Sequence, residues 1–190
     1  VLFAIVFAET GLIVTPFLPG DSLLFAAGAF AGMGKLALWP LAATFAVAAI
    51  LGDALNYSIG KRLGKTALEK KWIAPQHISQ TERYYSKYGA KTIVLARFVP
   101  IVRTFAPFVA GVGSMDYRTF AAYNVGGALL WTLLFVGAGA VFGNLPAVKS
   151  NFKLVVVGII VVSVIPVLIE VWNARKEAER ERGGGGGAAA

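Results

Sequence analysis

Five ionisable side chains, Glu9, Asp21, Asp53, Arg97 and Arg103, sit in stretches otherwise apolar enough to lie in a membrane. Three of them fall in two proline-broken stretches, Pro16-Phe17-Leu18-Pro19-Gly20-Asp21 and Arg97-Phe98-Val99-Pro100-Ile101-Val102-Arg103, and Glu9 lies upstream of the first. A charge at the bilayer centre costs roughly 2.5–3.5 kcal/mol even on the lenient insertion scale. Left unpaired, the set would cost roughly 12–18 kcal/mol, more than the typical stability of a domain, about 5–15 kcal/mol. These groups must face each other, water or a ligand. Charges so placed mark a transport or ion pathway by default.

The surroundings are those of an integral membrane protein. Hydrophobic residues make up 57% of the 190-residue chain, where a soluble domain has about 45–50%. The net charge of +8 is no argument for nucleic acid, because the basic residues gather between apolar runs, where positive-inside charges belong. Without cysteine, disulfides and thiolate metal sites are excluded, and His77 alone cannot build a histidine-rich metal centre. No metal site or cofactor is expected. The chain opens on Val1 rather than Met, so an upstream part is expected to be missing, and no cleavable signal peptide is visible. The glycine- and alanine-only stretch 183–190 reads as a linker or fusion scar.

Three segments, 36–60, 117–143 and 152–172, reach the about 20 apolar residues that a crossing needs. Two others are too broken for a simple span. Limbs 1–14 and 21–33 flank the Pro-Phe-Leu-Pro-Gly turn, and limbs 92–99 and 108–113 flank Pro100, Thr104 and Pro107. Limbs this short suit re-entrant hairpins, whose broken backbone must be buried in protein or line a wet cavity. The segment 61–91 holds eight basic residues against Glu69 and Glu82, which places it in the cytoplasm. If 92–113 dips in and returns, the basic tail 175–182 also ends inside. The first hairpin, 1–33, then enters from the opposite face. A short echo agrees, Thr15-Pro16-Phe17-Leu18-Pro19-Gly20 beside Ala106-Pro107-Phe108-Val109-Ala110-Gly111. The expected fold is an all-α membrane bundle, a single domain over 1–182. It has two opposed re-entrant hairpins (1–33 and 92–113) as an inverted repeat, a cytoplasmic amphipathic loop 61–91, and about three full transmembrane helices.

Polar stripes point to the bundle interior. Asp53, Asn56, Tyr57 and Gly60 share one helix face, and Asn124, Gly127 and Trp131 share another. For the asparagines and glycines, helix–helix glue competes with substrate contact. Asp53 is expensive glue and reads as functional. Glu9 and Asp21 are candidates for carrying a coupling proton or cation, since a desolvated carboxyl can hold a proton near neutral pH. The competing reading is an ion pair with Arg97 or Arg103, and Asp21 could simply cap the second limb. Arg97 and Arg103 are six residues apart, and the break at Pro100 lets both converge. Two guanidinium forks suit a phosphate; the alternative is neutralisation of the three acids. Asn124 joins them as a candidate substrate-binding residue. In the basic loop, Trp72, Ile73, Ile78, Tyr84, Tyr85 and Tyr88 lie among the cations, as in an interfacial helix anchored on anionic lipid, with His77 solvated there.

At these residues the chain resembles the DedA family, also called the VTT or SNARE-associated Golgi protein family. The resemblance rests on Glu9, Phe17-x-Pro19-Gly20-Asp21, Gly52-Asp53-x3-Tyr57-x2-Gly60 and Arg97-Phe98-x-Pro100-x2-Arg103. It continues through Ala110-Gly111, Met115, Phe120, Asn124, Gly127 and Trp131. It implies a bacterial inner-membrane protein with two opposed re-entrant hairpins, moving lipid between leaflets in exchange for protons or sodium. Undecaprenyl phosphate and phosphatidylethanolamine are the substrates it implies, with Glu9, Asp21, Arg97 and Arg103 at the functional positions. The expected function is a proton- or sodium-coupled lipid-phosphate flippase, with Arg97, Arg103 and Asn124 on the headgroup and Glu9, Asp21 and Asp53 on the coupling ion. A small-cation or proton antiporter and an uncoupled scramblase are the rivals. An enzyme is not expected, since no histidine or cysteine lies in any span.

Overall fold

The computed structural model describes residues 1–11, 20–70, 75–113 and 115–151, apart from the side chains of 65, 68, 75–77, 100, 101 and 149. All regular structure among them is helical. We number the helices α1 (Leu2–Gly11), α2 (Gly20–Gly32), α3 (Leu38–Glu69), α4 (Pro75–Tyr88), α5 (Thr92–Ala96), α6 (Pro100–Val112), α7 (Tyr117–Asn144) and α8 (Pro146–Ser150). A 3-10 turn, Gly89–Lys91, joins α4 to α5. Residues 1–145 form one compact unit, and α8 begins a second.

Only α3 and α7 are long and apolar enough to cross a bilayer among the described residues, over Leu38–Gly64 and Tyr117–Asn144. Their outer faces carry bare leucines, among them Leu51 and Leu55 on α3 and Leu129, Leu130, Leu133 and Leu134 on α7. In water such a row would be an aggregation surface; in lipid it is ordinary. Tyr117 at the start of α7 meets Tyr57 late in α3, and Asn124 reaches Ile50, so the two long helices run antiparallel.

The short helices pack on this pair in a crossed pattern. α1 lies along α3 and α5 along α7, in each case the long helix that follows; α2 lies along α7 and α6 along α3, the long helix of the other half. Glycines let the crossed pairs touch backbone to backbone. A Cβ on Gly28 or Gly32 would collide with Val136 or Ala140 of α7, and one on Gly139 with Phe25 of α2. Gly60 and Gly111 serve the α3–α6 seam in the same way. Without a hydrophobic drive in lipid, such close approach is what holds membrane helices together.

Local chemistry explains the boundaries. Asp116 caps α7, accepting from the Thr119 N–H at 3.1 Å. Pro100 starts α6, where its missing N–H does no harm. Gly34, with φ +75°, turns the chain after α2.

Several boundaries differ from the sequence expectation. The span expected at 36–60 extends as α3 to Glu69; no proline interrupts it, and Gly60 and Gly64 lie within it against Phe108 and Val112 of α6. The second limb of the second hairpin starts at Pro100, not at 108. Pro107 lies inside α6, and the break falls at Arg97–Val99. Neighbours bond carbonyls in the turn around Pro107. Asn56 Nδ2 donates to Thr104 O at 2.9 Å and Tyr85 OH to Ala106 O at 2.8 Å. The second copy of the short echo is therefore helical. Its first copy, up to Pro19, lies outside the described residues, as do the turn of the first hairpin, Trp72, Ile73, the span expected at 152–172 and the stretch 183–190.

The amphipathic helix of the basic segment exists as α4, and part of its apolar face packs on protein. Ile78 packs on Ala67, Phe105 and Phe108, while Tyr84 and Tyr85 pack among Ile93, Val102 and Ala106. Burial pushes the Tyr85 phenol well above its ordinary range, so it stays a donor to α6. Ile78, Tyr84 and Tyr85 stay half-exposed and Tyr88 exposed, while Trp72 and Ile73 lie outside the described residues. The His77 side chain is outside the described residues.

Candidate functional site

The four inner ends of the short helices, α1 and α5 at their last turns and α2 and α6 at their first, meet at the level of Asp53 on α3 and Asn124 on α7. All five intramembrane charges gather there, in two separate constellations.

The first centres on Arg97, at the C-terminal cap of α5 and 3% exposed. Its Nη2 donates to Asp53 Oδ2 at 2.5 Å and to Asn124 Oδ1 at 2.7 Å. Asn124 Nδ2 in turn donates to Ile50 O at 3.1 Å, so both ends of its amide are engaged within the protein. Gly127 leaves room for the arginine, since a Cβ there would stand 3.1 Å from Nε. Arg97 Nε and Nη1 are buried without a hydrogen-bond partner among the described atoms. One turn along α3, Asn56 Nδ2 ties α1 to α6 through Thr10 O (3.4 Å) and Thr104 O (2.9 Å).

The second centres on Arg103, in the first turn of α6. Its Nη1 donates to Asp21 Oδ1 at 2.9 Å, and its Nη2 stands 3.3 Å from Glu9 Oε1. The guanidinium lies 4.5 Å from the centre of the Trp131 ring, and Trp131 Nε1 donates to the same Asp21 oxygen at 2.8 Å. The ring thus holds both partners of the pair, by cation–π attraction and by a hydrogen bond. Glu9 lies against Gly20, so closely that a Cβ there would overlap the carboxylate. The Arg103 and Glu9 side chains are about nine-tenths buried, but Asp21 is 43% exposed.

The arginines therefore do not converge on one point in this arrangement. Each takes its own carboxylate, with Glu9 as the third acid. Asp21 lies in the first turn of α2 but turns to Arg103 and Trp131 rather than capping its helix. Glu9, Asp21, Asp53, Arg97, Arg103 and Asn124 are all brought into the two constellations. The sequence placed Trp131 on an inward stripe without giving it a role; a buried indole N–H usually takes an acceptor, and that tendency was the available signal. Thr10 and Thr104, which serve through their backbone carbonyls, carried no signal in the sequence.

A helical membrane protein whose crossed half-helices bring buried ion pairs to one level is the class this architecture defines. The chain matches the VTT domain family over residues 18–141. It is 54% identical to "Protein DedA" of Escherichia coli (strain K12), over 95% of this chain and 84% of that protein. It is 37% identical to "Uncharacterized membrane protein ML0287" of Mycobacterium leprae (strain TN), over 93% of this chain and 80% of the relative. To "Inner membrane protein YqjA" of Escherichia coli (strain K12) it is 31% identical, over 92% and 84%. No solved structure matches the chain. The chain belongs to the DedA family of VTT-domain membrane proteins.

Proposed function

We propose that this protein is a multi-pass carrier of the bacterial inner membrane that moves a phosphate-headed lipid, such as undecaprenyl phosphate or a phospholipid, between leaflets in exchange for protons or sodium. The observation that carries this reading is the Arg103 pair. An arginine fork held by a half-exposed aspartate and a geometrically poor contact to Glu9 can exchange partners. A phosphate offers the same bidentate acceptor geometry as a carboxylate, with more charge. Protonation of Glu9 or Asp21, or capture of sodium by them, releases Arg103 to the headgroup; loss of the cation draws it back. Arg97, sealed by Asp53 and Asn124, is the framework against which Arg103 moves.

The antiparallel course of α3 and α7 supports the re-entrant reading of α5 and α6, because the stretch between the long helices begins and ends at one end of the pair. The inner-membrane assignment is supported by the printed names of the Escherichia coli relatives YghB and YqjA. The reading is of a carrier, not an enzyme. One rival keeps support of its own. The acids in the two constellations, Glu9, Asp21 and Asp53, outnumber the guanidiniums of Arg97 and Arg103, which leaves one to titrate and also suits a small-cation antiporter.

The test is gradient-driven lipid movement in reconstituted vesicles. Glu9→Gln cannot ionise; it is expected to abolish movement driven by a proton or sodium gradient while headgroup binding persists. Arg103→Lys keeps the charge but loses the fork, and is expected to weaken headgroup binding. Normal coupled transport by Glu9→Gln would remove the acid from the mechanism. Full binding by Arg103→Lys would return the arginine to a structural pair. Lipid movement by the parent without any gradient would mean a scramblase, and ion exchange without lipid movement an antiporter.

A further inference from the structure

One charged cleft lies away from both ion pairs. It has a volume of ≈ 370 Å3 and is lined by Tyr57, Ser58, Lys61, Arg62 and Tyr117. Its walls are the end of the apolar part of α3 and the first residue of α7, so it sits at one boundary of the membrane, the one that carries the basic segment 61–91.

The chemistry of the lining is that of an anion site with a lipid-facing rim. Lys61 and Arg62 are exposed, and no carboxylate of the described residues pairs with either. Asp116, at the same level, is turned into α7 as its cap. The Tyr57 hydroxyl donates to Met115 O and the Ser58 hydroxyl to Ala54 O, so both are committed and the two cations are the free donors. Lys61 Nζ stands 6.0 Å from the centre of the Tyr57 ring, which itself stacks on Phe120 at 4.4 Å. A fixed aromatic floor beside two cations at a bilayer boundary is where phosphate groups of lipids concentrate.

We propose that this cleft binds the phosphate headgroup of an anionic membrane lipid, with Lys61 and Arg62 on the phosphate and the exposed Tyr117 ring against the glycerol or the first carbons, over the buried Tyr57. Lys61, Tyr57 and Asp53 follow one another at every fourth residue of α3, so a headgroup seated here lies on the stripe that leads to the buried charges. The site does not require that the protein transport anything.

The test is calorimetric titration of the whole chain in neutral detergent. The probes are dihexanoyl phosphatidate, dihexanoyl phosphatidylcholine and inorganic phosphate. The double variant Lys61→Gln/Arg62→Gln is expected to weaken phosphatidate binding about tenfold, as for two solvent-facing charge-assisted bonds. Lys87→Gln, which removes a cation on α4 outside the lining, is expected to stay within about twofold. The charge-keeping pair Lys61→Arg/Arg62→Lys is expected to retain binding, and phosphatidylcholine to bind more weakly than phosphatidate. An equal loss in Lys87→Gln would mean diffuse surface charge and overturn the site. Inorganic phosphate binding as tightly as phosphatidate would overturn the lipid in favour of the free anion. Arg103→Lys separates this inference from the proposed transport: failed transport with phosphatidate binding still sensitive to Lys61 and Arg62 leaves the cleft standing, and insensitivity to both removes it whatever transport does.

Discussion

Arg97 and Arg103 lie six residues apart on either side of one break, yet they occupy opposite kinds of environment. Arg97 has a short, direct contact to a buried carboxylate, a second to a side-chain amide, and almost no exposure. Arg103 is shared between two carboxylates, one half-exposed and the other at 3.3 Å, and rests on an indole face. The difference teaches that charge in a membrane protein is not one thing. A sealed pair, here with Arg97 Nε and Nη1 still without acceptors among the described atoms, fixes helices to each other. A pair with an open side and a spare acid leaves Arg103 a second carboxylate within reach.

The comparison breaks most visibly at Arg97. Arg97→Leu leaves Asp53 as an uncompensated buried charge and is expected to lower stability by about 3–5 kcal/mol. Thermal unfolding in detergent measures it; a loss below that of Asp21→Asn would invert the roles of the two pairs. Next comes Asn124→Ala, which strips Arg97 of its second acceptor and removes the bond that Ile50 O accepts in addition to its helical one. A loss of about 1.5–3 kcal/mol is expected for hydrogen bonds to a charged group. A smaller loss, about 0.5–1.5 kcal/mol, is expected for Trp131→Phe, which keeps an aromatic face under Arg103 but removes the donor to Asp21. Transport should suffer more than stability in that variant, and the reverse ordering would make Trp131 mere packing. Asp21→Asn is expected to change stability least, by no more than about 1 kcal/mol, because the carboxylate is half in solvent. Raising the salt concentration sharpens the contrast without mutation. It should narrow the gap between Asp21→Asn and the parent and leave the Arg97→Leu gap nearly unchanged.

Much of this was legible in the sequence, and for identifiable reasons. The long apolar runs marked α3 and α7, and the expense of intramembrane charge marked all five ionisable residues of the site. Their pairing was not legible, because which acid meets which arginine depends on the crossed packing of α2 and α6, set by glycines far from the charges. Pro107 misled because a proline is read as a break, whereas α6 runs on through it. The reach of α3 to Glu69 was missed because a fall in hydropathy was read as the end of a helix. Trp131 was on the right face, but its double role is a matter of distances.

The crossed packing also sets an order of events in the making of the protein. The mate of α2 is α7, which leaves the ribosome only after α3 to α6 have been made. During that interval the glycine face of α2 has nothing to lie against, and Glu9 and Asp21 have no counter-charge, since Arg103 is still to come. The first half is thus delivered to the membrane incomplete, and it becomes settled only when the second half threads in beside it. Translation that stalls in the basic segment would strand acids and bare backbone in the bilayer, a species that surveillance proteases are suited to remove.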